Sequence, residues 1–119
     1  MSEDVGNFDT ALELCCDQHR RIVLAIIIKE QRPLSLNDLS KSIVRHNHHL
    51  TITEVPAEEV TQIYLSLYHI HIPKLVANGV LEYDRERQLV QPTERLEQLE
   101  PYLATIIDAD PGLNILVNK

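Results

Sequence analysis

The sequence predicts a mainly α fold carrying one small β-hairpin, and three observations predict it. Apolar residues recur every three or four positions in successive blocks along the chain. The longest block stops at Asn78-Gly79 and runs at once into two short alternating segments, Val80-Leu-Glu-Tyr and Gln88-Leu-Val-Gln, around the charged turn Asp84-Arg-Glu-Arg. The chain has 119 residues, 44% of them hydrophobic, with one Phe and no Trp, which suits a single core of aliphatic helices and leaves no room for a second domain.

Each element follows from local signals. Phe8, Ala11, Leu12 and Cys15 are spaced as a helix, with Asp9 or Thr10 able to cap its start. A second helix begins after Asp17, with Ile22, Val23, Ile26 and Ile27 inward and Lys29 near its end, where a cation suits the dipole. Pro33 forbids continuation and leaves Arg32-Pro-Leu extended. Ser35 followed by Asp38 resembles a capping box with Asp in place of Glu, and Leu36, Leu39, Ile43 and Val44 form the stripe of a helix ending near Arg45 or His46. The stretch from Asn47 to Val55 is polar and β-branched and is expected to be a loop.

Pro56 suits the first turn of the next helix, and Glu58 and Glu59 suit its positive dipole end. Its inward positions are Val60, Ile63 or Tyr64, Leu67, Ile70 or His71, and Leu75; Glu59, Gln62, Ser66, His69 and Pro73 lie opposite. Pro73 removes the amide that would bond the His69 carbonyl, so a bend is expected there. Asn78-Gly79 supplies a left-handed stop. Thr93 caps a last helix in which Leu96, Leu99, Leu103 and Ile106 keep helical spacing, ending around Asp108 to Pro111 ahead of an apolar tail.

This order of elements is that of a winged helix-turn-helix with an additional C-terminal helix: one domain over residues 1–119, a core over about 18–92 and a terminal helix over about 93–108. His71-Ile-Pro-Lys-Leu75 followed by Asn78-Gly-Val-Leu-Glu-Tyr-Asp84 resembles the end of the recognition helix in ArsR-type repressors. With its Pro-Lys and Glu-Tyr-Asp, and with Arg20-Arg21 near the first core helix, the chain is more similar still to a family of small winged-helix proteins in haloarchaea. The resemblance covers about two-thirds of the chain. It implies a cytoplasmic, homodimeric transcription regulator that binds double-stranded DNA with the helix over about 56–78 and a wing over about 83–88.

DNA recognition requires polar side chains for base edges and cations for phosphates. Gln62 can bond adenine, with Ser66 and His69 further along the same face. Lys74, Arg85 and Arg87 are expected to hold phosphate, as are Lys41 and Arg45 from the preceding helix. Leu96, Leu99, Leu103 and Ile106 are the expected dimer stripe. Two features oppose DNA: a net charge of −7, and the acidic start Ala57-Glu-Glu of the recognition helix. An acidic protein-interaction module is therefore the rival reading.

Other classes find little in the residues. The chain shows no Gly-rich phosphate loop, no Gly-x-Ser-x-Gly and no His-Glu-x-x-His, so no enzymatic activity is expected. The six histidines, including the run His46-Asn-His-His49, match no closed metal spacing, and neither metal nor cofactor is expected. His71 is expected to be a buried, hydrogen-bonded packing residue. Cys15 and Cys16 are expected to be reduced core or half-core residues. The longest apolar run, Ile22 to Ile28, is too short to cross a bilayer, and the first residues do not have the order of a secretory signal.

Overall fold

A computed structural model describes residues 2–48 and 55–113. Helix α2 (Gln18–Glu30) is the element around which the others are placed. Asp17 caps it, accepting backbone N–H bonds from His19 at 2.8 Å and Arg20 at 3.2 Å. Gln31 ends it in the left-handed region at φ 54°. The expected inward stripe is too narrow: Ile22, Val23, Leu24, Ala25 and Ile27 are all buried, while Ile26 is only half-buried. Neighbours on several sides explain the excess, because α2 packs against a terminal helix, a second core helix and the sheet.

Helix α1 (Ser2–Leu14) starts earlier than its apolar spacing indicates, and Asp9 and Thr10 lie inside it rather than at its cap. Pro33 gives an extended turn into β1 (Leu34–Ser35), which passes directly into α3 (Leu36–His48). The Ser35 hydroxyl accepts the Asp38 N–H at 3.0 Å, as the capping pattern predicts. All four stripe residues of α3 are buried. Residues 49–54 of the expected loop lie outside the described residues, as do residues 114–119 of the tail; Leu113, at the start of that tail, is buried.

Three segments form one continuous long helix: α4 (Ala57–Ser66), a π turn (Leu67–His71) and α5 (Ile72–Ala77). The hairpin β2 (Leu81–Asp84) and β3 (Leu89–Pro92) follows, then α6 (Glu94–Asp108), capped by the Thr93 side chain. The sheet has three strands in the order β1-β3-β2, all antiparallel, with Leu34 opposite Val90 and Tyr83 opposite Val90 from the other side. The hairpin is thus one strand larger than its sequence signal, since β1 adds to its edge. The architecture is mainly α with a small sheet and a C-terminal helix, arranged as a winged helix.

The expected dimer stripe needs correction. Leu96, Leu99 and Leu103 are at most 1% exposed inside the single chain, where α6 packs on α1 and α2, and only Ile106 reaches the surface in part. An apolar stripe buries itself on the nearest apolar face, and the full-length α1 supplies one. Leu103→Ala should therefore cost about 2–5 kcal/mol of folding stability by cavity formation, read by urea denaturation, with no change in oligomeric state.

Both cysteines are free thiols. Cys15 is buried and Cys16 exposed, and burial pushes the Cys15 thiol up to about 11. At pH 8 a soluble alkylating reagent should label Cys16 in the native protein and reach Cys15 only after denaturation, as read by peptide mass mapping.

Candidate nucleic-acid interface

The long helix owes its register to Pro73. Without an amide at position 73 the regular ladder cannot continue, and it slips to a wider turn in which the Ile72 N–H bonds the Leu67 carbonyl. The irregularity expected at Pro73 is thus a π turn over Leu67–His71. It also decides between two inward candidates: His71 is 6% exposed, whereas Ile70 is 57% exposed. Beyond Pro73 the helix ends as predicted. Gly79 stands at φ 79°, its N–H bonds the Val76 carbonyl at 2.9 Å, and the Val80 N–H bonds the Leu75 carbonyl at 3.2 Å.

Arg20 locks the π turn to the first two helices. It is 8% exposed, donates from Nε to the Leu14 carbonyl at 2.9 Å and from Nη2 to the Glu13 carbonyl at 3.3 Å, and places Nη1 at 3.4 Å from His71 Nδ1. Arg21 donates to the Cys15 carbonyl at 2.6 Å and to Asp110 at 3.0 Å. The Arg-Arg pair therefore satisfies carbonyls at and just beyond the end of α1 and ties that end to the long helix and to the segment after α6.

Asp17, His19 and His71 each bring one potential ligand atom within 4.8 Å of the others. Arg20 can only donate, so His71 Nδ1 accepts from it and the ring proton lies on Nε2, 3.7 Å from Asp17. That tautomer leaves His71 no lone pair for a cation, and the guanidinium alongside repels one. Burial holds His71 below the ordinary histidine range; Asp17 opposes the shift and Arg20 adds to it. Burial would raise Asp17, but N–H bonds from Arg20 and His19 and the nearby His71 bring it below the usual carboxylate range. The cluster acts as a helix cap joined to the π turn. The expected buried, bonded His71 is found here, whereas the His46 to His49 run lies partly outside the described residues.

The wing is shaped by its own charges. Asp84 Oδ1 accepts the Glu86 and Arg87 N–H groups at 3.0 and 3.2 Å, closing a four-residue turn that Gln88 leaves at φ 55°. Arg85 and Arg87 project from this tip and are exposed. Arg87 lies 3.9 Å from Asp84 with its side chain 78% exposed, a pair too wet to hold the guanidinium in place. Arg85 has no ion-pair partner among the described residues.

Helix and wing enclose a groove of about 490 Å³ lined by Tyr68, His69, Ile72, Val76, Tyr83 and Arg85, among others. Tyr68 meets His69 and Tyr83 edge-on, with centroids 4.9 and 6.4 Å apart. Tyr64 donates its hydroxyl to Gln88 at 3.4 Å. Burial, then the phenols of Tyr64 and Tyr68, push the Tyr83 hydroxyl up. These tyrosines fix the angle of the wing to the helix. The sequence signal for them was their helical spacing at positions 64 and 68, ahead of a third tyrosine in the first wing strand.

The expected contact residues fall into three places. Gln62 and His69 are exposed on the long helix with Ser66 half-buried between them, and Arg85 joins His69 at the groove. Lys74 is half-buried, 4.0 Å from Glu13 on α1. Lys41 and Arg45 instead line a polar cleft between α2 and α3 with Arg32, Glu30 and Asp38. The helix also exposes apolar groups outside the expected inward positions: Leu65 is 45% exposed and Tyr68 41%.

Residues 12–91 match the family described as Domain of unknown function (DUF7344), and the chain belongs to that family. No curated protein and no solved structure matches it. No helix among the described residues is long and apolar enough to cross a membrane.

Proposed function

We propose that this member of the DUF7344 family is a cytoplasmic, non-enzymatic transcription regulator that binds double-stranded DNA, with the helix over 57–77 in the major groove and the wing on the backbone. One observation carries the reading: His69 of the helix and Arg85 of the wing line one groove, with Gln62 exposed earlier on the same helix and Arg87 exposed on the same hairpin turn. On a duplex, polar side chains bond base edges and cationic ones bond phosphates. The net charge of −7 makes the affinity modest and dependent on local cations rather than on the whole surface.

Two copies pair through the outer face of α1 and α6. Phe8 and Leu12 are 44% and 43% exposed one turn apart, Phe8 meets Tyr102 edge-on at 6.0 Å, and Ile106 is half-buried beside them. Phe8→Glu combined with Leu12→Glu should shift the sedimenting species from dimer to monomer while the far-ultraviolet circular dichroism keeps its helical signature.

The rival reading, a module that docks another protein, has one observation in its favour: Leu65, Tyr68 and Ile70 are exposed downstream of Glu58 and Glu59. Fluorescence anisotropy with mixed genomic duplexes separates the two. Association at micromolar protein, with log K falling linearly against log salt concentration, supports DNA binding. No association at any salt concentration refutes it.

A further inference from the structure

We infer that the outer face of α4 reads A·T base pairs, Gln62 bonding adenine while Leu65 packs on the thymine methyl; the inference rests on the DNA-binding reading above. Guanine is most often recognised by Arg or Lys bidentate to its O6 and N7, and residues 57–72 contain neither. What the face offers instead is one amide of the geometry that suits adenine N6 and N7, and apolar groups beside it.

Leu65 lies three residues after Gln62 and is 45% exposed, although the inward positions of the same helix, Ile63 and Leu67, are already buried. Its side chain is therefore free for an external contact. Thr61, adjacent to Gln62 and also exposed, adds a methyl group. A thymine presents its C5-methyl in the major groove next to the adenine edge, so a leucine one turn from a glutamine matches consecutive groups along the groove floor. Glu58 and Glu59, one turn earlier, are exposed carboxylates suited to cytosine, through its N4 amine, and their weight is decided by the experiment below.

The test begins with selection from a randomised duplex pool by the full-length chain. Thymine in the selected site is then replaced by deoxyuridine, which removes only the methyl, and adenine by 7-deazaadenine, which removes the N7 acceptor. A·T pairs should dominate the contacted steps. Deoxyuridine should weaken binding roughly threefold, and 7-deazaadenine roughly tenfold. Leu65→Ser, with an unchanged thermal midpoint, should bind thymine and deoxyuridine sites equally; Gln62→Ala should lose only the 7-deaza effect. Selection of G·C steps, or equal binding of the deoxyuridine site by the unmodified protein, overturns the A·T assignment and leaves DNA binding standing. Retention of duplex with no sequence enriched overturns the A·T assignment alone, and retention of no duplex at all overturns the DNA-binding reading with it.

Discussion

Replacing Arg85 and Arg87 together with alanine is expected to weaken binding to every duplex, whatever its sequence, by roughly a hundredfold at moderate salt, and to reduce the salt slope by about two. The size follows from the wing's composition. The tip alternates Asp84, Arg85, Glu86, Arg87, so its net charge is zero, and the double variant leaves two carboxylates facing the phosphates. Repulsion then adds to the two lost contacts. The Asp84 pairing does not shelter Arg87, because an exposed ion pair at 3.9 Å is worth at most about 1 kcal/mol. The opposite change, Glu86→Gln, should tighten binding and steepen the slope. Anisotropy titrations at four salt concentrations read both numbers, and a double variant with unaltered affinity removes the wing from the interface.

Arg20→Ala is expected to have the largest effect on stability, about 2–4 kcal/mol. The guanidinium bonds two carbonyls near the end of α1 and contacts His71 in the π turn, all from a position only 8% exposed. Truncation removes the side-chain donor of the Leu14 carbonyl, leaves the Glu13 carbonyl with the Cys16 N–H alone, and loosens the long helix from the body. Lys in place of Arg rescues little, since one ammonium cannot reach the three sites that the planar fork spans. Urea denaturation measures the loss, and hydrogen exchange should show it concentrated in α1 and in residues 67–71. A variant that kept full stability but lost DNA affinity would make Arg20 a phosphate ligand instead.

The fold was legible wherever the signal is local. Asp17, the Ser35–Asp38 pair, the Asn78-Gly79 stop and Thr93 each act within one helical turn, and each holds the position expected of it. What the sequence concealed depends on distant partners. The spacing of Leu96, Leu99 and Leu103 announces an apolar stripe but not what covers it, and the cover begins in a polar stretch, Ser2 to Asn7, that carries no helical periodicity. β1 is two residues long and exists only because β3 pairs with it. The π turn left no periodic trace apart from Pro73, so the choice between Ile70 and His71 had to come from packing against Arg20. Of the expected contact residues, His69 and Arg85 line the groove, Lys74 lies beside Glu13 of α1, and Lys41 and Arg45 belong to the cleft between α2 and α3.

Amide chemical-shift mapping tests, residue by residue, whether one helix face and one hairpin tip together form a surface for a duplex. Titrating a selected duplex into isotopically labelled protein should move resonances of Thr61 to His69 and of Asp84 to Gln88, with α1 and α6 left in place. Shifts confined to α1 and α6, or none in the helix and wing at saturating duplex, would contradict it.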